Sequence, residues 1–517
     1  MLNFRDLCGL LLCGLVFARG AAAADRPNIV LILSDDLAYQ AVSAYGEKRA
    51  LLKTPQMDAL AEQGARFDRC LVTNSICGPS RAVILTGKYS HRNGFYNNSG
   101  QSRFDNTQQT FPRLLQAAGY TTAVIGKWHL NSDPVGFDYW NILPGQGVYY
   151  QPVMIEGGKK VQHAGYVTDA ITESTLNWLK QRDKSRPFLL MMQHKAPHRP
   201  WDPDVQSLTQ QPDHEYPLPE TLFDDYRNRP FAVADTTMTI AKHFTDRDVK
   251  LQGPPLNEAQ QAVWNAYYQS RNRQFQGSSL QGHELVRARY QRYMHDYLSC
   301  VKSVDDSVGQ LLHQLEEEGI ADQTLVICTS DQGFYLGEHG WYDKRWIFEE
   351  SLRTPFLVRW PGMVQPGTVN SDLVSLLDLA QTFCEVAGVP IPSDMQGHSL
   401  VPLLQGKKPA DWRSSFYYSY YEYPNPHHVR PHYGVVTDRY KLFHIYGDAD
   451  DWVLLDRVTD PQELKNVHDD PARAGVVREL RAELTRLRAE LGETTLPPRE
   501  AFGNLKADIT FPSELPR

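Results

Sequence analysis

Apolar residues in this chain come in short continuous blocks separated by segments with helical spacing. From Asn28, NIVLILSDD is branched and apolar and ends in two acids. Similar blocks recur at TTAVIGKW (121–128), PFLLMMQHK (187–195), TLVICTSDQG (324–333) and PFLVRWPG (355–362). Continuous apolar runs of this length predict buried strands. Between them, FPRLLQAAG, TDAITESTLNWLKQ and the long stretch from Ala288 to Glu318 place apolar residues at helical intervals. The alternation predicts an α/β fold, a mostly parallel central sheet covered by helices. Polar and titratable residues fall repeatedly at the C-terminal ends of the strands, where open α/β sheets assemble their sites.

The texture changes in two places. Residues 199–285 are rich in Pro, Gln, Asn and Asp with scattered aromatics. They read as an insertion with short helices near the rim of the site. After about residue 400, SSFYYSYYEY, HYGVVTDRYKLFHIY and WVLLDR predict antiparallel strands, and residues 471–492 have helical spacing with many charges. A main domain over 25–400 and a smaller α+β subdomain over 401–517 follow from this. Residues 1–24 combine an apolar run, LCGLLLCGLVFA, with the small-residue stretch GAAAA. That is the pattern of a cleaved secretory signal, too short to span a bilayer comfortably. The expectation is a periplasmic or secreted protein without a membrane anchor.

The totals narrow the function classes modestly. A hydrophobic content of 41% fits a globular chain with a sizeable core. A net charge of -8 argues against a nucleic-acid partner. Without Cys8 and Cys13, five cysteines remain: Cys70, Cys77, Cys300, Cys328 and Cys384. An odd number in an exported protein flags a special thiol, and no disulfide framework is evident. Cys328, inside TLVICTSD, reads as a core residue.

Cys77 is the special candidate. In NSICGPSRAVILTGKYS, Pro79 favours the first turn of a helix, which places Cys77 at a loop-to-helix junction near free N–H groups. On that reading Cys77 is partly exposed. Arg81 lies one turn further on, facing Cys77. Asp35 with Asp36, and Asp331 with Gln332, end two different strands. Adjacent acids at a strand end are commonly a cap or a surface pair. Two oxygen-bearing pairs on parallel strands also suit one Ca²⁺ or Mg²⁺ rather than zinc.

The C-x-P-S-R stretch followed by A-x-x-L-T-G-K resembles the signature of the formylglycine-dependent sulfatases. The resemblance implies an alkaline-phosphatase-like α/β/α domain followed by a smaller sheet domain. It implies that a maturation enzyme oxidises Cys77 to formylglycine, whose hydrate attacks sulfur and then expels sulfate. It implies a Ca²⁺ ion held by Asp35, Asp36, residue 77, Asp331 and Gln332, with Gln332 standing where many members have Asn. Lys127 and His129 of GKWH, His198 of HKAPHRP and Lys344 of YDKRW match the family's cationic residues. His198 is favoured over His194 by the motif. In the implied chemistry, Arg81, Lys127, Lys344 and the cation hold the sulfate. His198 or Lys344 protonates the leaving alcohol, and His129 takes the proton from the second hydroxyl.

Several longer segments, among them SDQGFYLGEHGWYDKRW and YYSYYEYPNPHHVRPHYG, are similar to bacterial N-acetylglucosamine-6-sulfatases. That likeness implies a sulfated glycan substrate, 6-sulfated in heparan- or mucin-type chains, with Asp343, Arg345 and His432 as sugar contacts. Three alternatives stay open: another sulfated sugar such as an iduronate 2-sulfate, a phosphomonoesterase on the same fold, and an inactive glycan-binding homologue.

Overall fold

The structure is a computed structural model that describes residues 26–100, 102–208, 214–495 and 497–503. The signal-like segment 1–24, with Cys8 and Cys13, lies outside the described residues. Ten strands form the main sheet. From one edge they run Thr368–Asn370, Ala65–Phe67, Phe356–Arg359, Thr324–Ser330, Asn28–Ser34, Phe188–Gln193, Thr121–Lys127, Tyr139–Leu143, Val153–Glu156 and Lys159–Gln162. The five central strands, from Thr324–Ser330 to Tyr139–Leu143, are parallel. Phe356–Arg359 joins this block antiparallel to Thr324–Ser330.

Alternation along the central strands divides the core into two layers. Ile29, Leu31, Leu33, Leu325 and Ile327 face one way, onto the helices Cys77–Thr86, Phe111–Ala117 and Leu379–Val386. Val30, Ile32, Val326 and Cys328 face the other way, onto Pro55–Glu62, Val167–Gln181 and Gly282–Glu317. Both faces are therefore covered, which is why these strands read as unbroken apolar runs. The result is the α/β/α sandwich that the sequence predicts. All five cysteines named above as remaining are buried free thiols.

The long helix begins at Gly282, six positions before the apolar spacing becomes regular at Ala288. The edge hairpin Val153–Gln162 was not anticipated, although its turn is Gly157–Gly158 with both φ angles positive. A Gly-Gly pair between strand-like segments is a hairpin signal. The insertion contains more than short helices: Glu258–Gly277 is a full helix with an Asn257/Gln260 capping box.

The insertion packs onto the loop that carries Lys344. Ile240 N–H donates to Gly340 O at 3.0 Å, and Tyr342 N–H to Met238 O at 3.0 Å. Asp224 accepts from Arg229 and bonds His339 at 3.2 Å. Burial alone would raise Asp224, but hydrogen bonds from His339 and Arg229 outweigh it and hold the carboxyl near about 2.

The C-terminal part is a four-stranded antiparallel sheet, Phe416–Tyr420, His432–Val436, Tyr440–Ile445 and Asp451–Asp456, packed with the helix Ala474–Leu491. Its first strand reaches the main domain: Ser419 N–H donates to Thr73 O at 3.0 Å, and the Tyr418 hydroxyl to Arg345 O at 2.6 Å.

Ile327, 0% exposed on a central strand, tests the layered core. Ile327→Ala is expected to lower stability by about 2–5 kcal/mol in urea unfolding. A loss below about 1 kcal/mol would contradict tight packing at this position.

Candidate active site

Four neighbouring parallel strands deliver the site. Asp331 and Gln332 follow Thr324–Ser330, and Asp35 and Asp36 follow Asn28–Ser34. His194 and His198 follow Phe188–Gln193, while Lys127 ends its strand and His129 lies two residues on. In-register pairing, for example Leu33 with Gln193 and Ser34 with Ser330, brings these ends level. Asp36 and His129 both adopt positive φ, at 69° and 57°. Left-handed backbone at non-glycine residues is strain that the surrounding structure must hold.

The carboxylates meet at the centre. Single oxygens of Asp35, Asp36 and Asp331 lie within 4.8 Å of one another. A second grouping within the same limit joins Asp35, the Cys77 sulfur and His198. Lys127 donates to Asp35, and Lys344 donates to both oxygens of Asp36 at 2.7 Å. Burial pushes Asp331 up to about 7, with the Asp35 carboxylate adding to the rise. Burial likewise pushes Asp36 up to about 6 against the pull of Lys344. Asp35 goes the other way: burial raises it, but Lys127, His198 and Arg81 outweigh that and hold it well below the usual range.

The residues fit a hard divalent cation. Asp35 Oδ1 and Gln332 Oε1 are buried without a hydrogen-bond partner, and a buried orphan oxygen needs a cation or a donor. The Gln332 amide nitrogen donates to Asp36, which leaves its carbonyl oxygen available. Three carboxylates and an amide oxygen form an oxygen donor set of the kind Ca²⁺ takes.

Cys77 is the first residue of the helix Cys77–Thr86 and is 0% exposed. The partly exposed position expected from its sequence is thus corrected: Gln332 of the loop after Thr324–Ser330 packs against it, and Phe95 and Asn98 fill the space beside the next residue, Gly78. Its sulfur lies 3.9 Å from Gln332 Nε2. Burial, and then the Asp35 carboxylate, push the thiol far above its ordinary pKa. Reactivity follows the thiolate, and this shift disfavours the thiolate of an unmodified Cys77. Gly78 has no room for a side chain: a Cβ would sit 2.6 Å from both Asn98 Oδ1 and Phe95 Cε1.

Arg81 does lie one turn in, but it is largely committed. It donates to Asp331 at 3.0 Å, to the Lys127 carbonyl at 2.6 Å and to Gln193 Oε1 at 2.6 Å. Its guanidinium ties three strand ends together as well as adding charge. Burial, and then Lys127, hold His129 well below its usual pKa, and its Nδ1 has no partner. His198 donates from Nδ1 to the Arg199 carbonyl at 2.6 Å, so its Nε2 is the atom that faces Asp36, at 3.8 Å. His194 is buried behind this layer against Ser307, at 3.3 Å, and burial pushes it down to about 3.

Asp343 and Arg345 flank Lys344 in an irregular loop with φ of 76° and 94°. That geometry lets all three side chains approach one region, and Arg345 Nε bonds Asp343 Oδ1 at 3.0 Å. His432 sits differently from the expected pocket wall. It is 0% exposed, stacked on Trp346 and Tyr418, with Nδ1 bonded to Arg430 O at 2.8 Å.

Other residues at the site escaped the sequence reading. Gln146 accepts from Lys127 at 2.6 Å, and His427 meets Asp343 at 3.3 Å. Lys195, 2% exposed, is pushed down to about 8 by burial and then by Lys127. Glu422 bonds Arg345. Lys195 had a usable signal, a lysine just past a buried strand, whereas Gln146 and Glu422 come from loops with no local mark.

A buried cysteine at a helix start, beside three carboxylates and ringed by buried lysines and an arginine, suits a hydrolase for anionic esters. The sulfatase family model matches residues 27–389, and the chain belongs to the sulfatase family of sulfuric ester hydrolases. A second model, described as N-sulphoglucosamine sulphohydrolase, C-terminal, matches residues 337–490. The chain is 46% identical over 464 residues to an N-acetylglucosamine-6-O-sulfatase of Bacteroides thetaiotaomicron, covering 86% of this chain and 82% of that one. It is 30% identical over 425 residues to the human N-acetylglucosamine-6-sulfatase, covering 77% and 68%. Among solved structures, one of a protein in complex with its substrate D-glucosamine-2-N,6-O-disulfate superimposes with a TM-score of 0.88 at 43% identity, over 90% of this chain and 98% of that chain.

The raised carboxyls give a cation-binding test. Asp331 and Asp36 hold protons up to about 7 and about 6, so a divalent cation must displace them on binding. Affinity is expected to be highest above about pH 7 and to fall as pH drops below about 6, by up to about tenfold per pH unit for each proton displaced. Calorimetry in buffers of different ionisation enthalpy measures this. No proton release, and flat affinity between about pH 5 and 8, would contradict the cluster's electrostatics.

Proposed function

We propose that this enzyme hydrolyses the 6-O-sulfate of glucosamine or N-acetylglucosamine in heparan- or mucin-type glycans. The observation that carries the reading is the 46% identity to the bacterial 6-O-sulfatase across 86% of the chain. Asp343 and Arg345 beside Lys344 add support: a forked donor next to a carboxylate acceptor suits vicinal sugar hydroxyls. Both are buried to within 5% of full burial, so a missing partner in the substrate would be costly.

Oxidised to formylglycine, residue 77 would supply a hydrated aldehyde as nucleophile, and Asp35, Asp36, Asp331 and Gln332 would hold a Ca²⁺ that would supply Lewis acidity. The chain's own residues do the rest. Lys127 and Lys344 place positive charge next to the carboxylates, where sulfate oxygens gain charge during transfer. Lys344 stays protonated: burial opposes its charge, but Asp36 outweighs burial and holds its pKa well above the ordinary value. It therefore keeps a standing positive charge beside the sulfate oxygens. His198 can exchange a proton with the leaving oxygen only through Nε2, since its Nδ1 proton is held by Arg199 O. His129, neutral and with an open Nδ1, is suited to take a proton from residue 77.

Because Cys77 is fully buried, the maturation enzyme that oxidises it must meet the chain before this helix packs. The export signal read in residues 1–24 supports a mature enzyme in the periplasm or outside the cell.

Positional isomers test the substrate. Purified enzyme is expected to release sulfate from glucosamine 6-sulfate. Asp343→Ala and Arg345→Ala are each expected to cost about 1–3 kcal/mol in kcat/KM on the sugar and less on a small aryl sulfate. Release from a 2- or 3-sulfated sugar but not a 6-sulfated one would refute the assignment. Aryl phosphate cleaved in preference to aryl sulfate would favour the phosphomonoesterase alternative instead.

A further inference from the structure

We propose that Glu422 is a positioning residue that fixes the sugar-reading arm against the nucleophile helix. The inference rests on the sugar-contact reading of Arg345 given above. Glu422 lies just past the strand Phe416–Tyr420 and is 5% exposed. One of its carboxylate oxygens, Oε2, accepts from Arg345 Nη1. The other, Oε1, accepts from the backbone N–H of Asn98 at 2.9 Å. The Asn98 side chain in turn accepts, through Oδ1, from the Gly78 N–H at 3.0 Å.

A continuous chain of contacts therefore runs from Asp343 through Arg345, Glu422 and Asn98 to Gly78, the residue after Cys77. Four separate stretches of sequence meet in it: the 343–345 loop, the segment just past the strand Phe416–Tyr420, the 97–98 loop and the start of the helix Cys77–Thr86. The chain has a physical reason to exist. Arg345 adopts a φ of 94°, which an arginine does not hold unaided. Its side chain is anchored by Glu422, by the Tyr420 hydroxyl at 3.1 Å and by Asp343. Gly78 N–H sits in the first turn of its helix, where backbone donors have no partner within the helix. Asn98 supplies that partner, and Glu422 holds the Asn98 backbone in place.

The two oxygens of Glu422 thus serve the two halves of the reaction. Through Arg345, Glu422 acts on sugar recognition; through Asn98 and Gly78, it acts on the placement of residue 77.

The test compares Glu422→Ala, Glu422→Gln, Arg345→Ala and the double variant Arg345→Ala/Glu422→Ala. Substrates are glucosamine 6-sulfate and a small aryl sulfate. Thermal unfolding confirms that each variant is folded, and the isosteric glutamine keeps the test available if the alanine variant is not. Glu422→Ala is expected to lower kcat on the aryl sulfate by about tenfold through the Asn98 arm, and to lower the sugar-to-aryl ratio of kcat/KM by a further factor of about ten, mostly in KM. Glu422→Gln keeps one acceptor oxygen and is expected to recover part of both losses. In the double variant the sugar-to-aryl ratio should match that of Arg345→Ala alone, since Glu422 reads the sugar only through Arg345.

An unchanged ratio in Glu422→Ala would overturn the proposal. So would losses in the sugar-to-aryl ratio that simply multiply in the double variant, because that is how general loosening of the fold behaves. Wild-type enzyme that fails to cleave glucosamine 6-sulfate would remove the sugar reading and this inference with it, and it is detected before any variant is compared.

Discussion

Three buried carboxylates facing two buried lysines and an arginine are the constraint on which the rest depends. Asp35, Asp36 and Asp331 are each 0% exposed, and Lys127, Lys344 and Arg81 are buried against them. Charges in such a place are tolerable only when paired, and removing one partner leaves an uncompensated charge. The parallel sheet answers this by ending four adjacent strands at one level. Arg81 locks that level by bonding Asp331, the Lys127 carbonyl and Gln193 together. The same cluster leaves oxygens of Asp35 and Gln332 without donors, which is where a cation belongs. Structure and the proposed chemistry thus draw on one cluster: the charges need each other to stay buried, and the proposed sulfate transfer uses the same groups.

The surrounding layers serve that cluster. The insertion grips the 338–345 loop through backbone bonds and the Asp224–His339 contact, and so supports Lys344 from one side. The C-terminal sheet supports it from the other, through the Tyr418 hydroxyl on Arg345 O and through Glu422. Left-handed backbone at Asp36, His129, Asp343 and Arg345 collects around the same centre. Strain of this kind persists only where the surroundings over-determine it. Cys77 is fully buried at the same centre, and burial there pushes its thiol pKa up.

Much of this was legible in the sequence because it is local. Runs such as NIVLILSDD and TLVICTSDQG state both a strand buried on two faces and the acids at its end. The oxygen-bearing residues stood out because Asp35, Asp36, Asp331 and Gln332 directly follow strands, whereas Lys127, His129, His198 and Lys344 were named by their likeness to the sulfatase motifs. What was not legible depends on distant packing. Nothing near Cys77 says that Gln332, more than two hundred residues later, packs against its sulfur. His432 looked like a polar wall residue, but its partners Trp346 and Tyr418 come from other segments and bury it. Glu422 and Gln146 gain their roles only from contacts with Arg345 and Lys127, which no local pattern encodes.

The account turns on residue 77 acting as something other than a cysteine, since burial and the neighbouring carboxylates keep its thiol protonated. The direct measurement is the mass of the peptide containing residue 77, taken from enzyme that is actively releasing sulfate. The account predicts an aldehyde, with oxygen in place of the thiol sulfur, in the active fraction, and the amount of aldehyde should track specific activity. Full activity from enzyme whose residue 77 is entirely unmodified cysteine would contradict it.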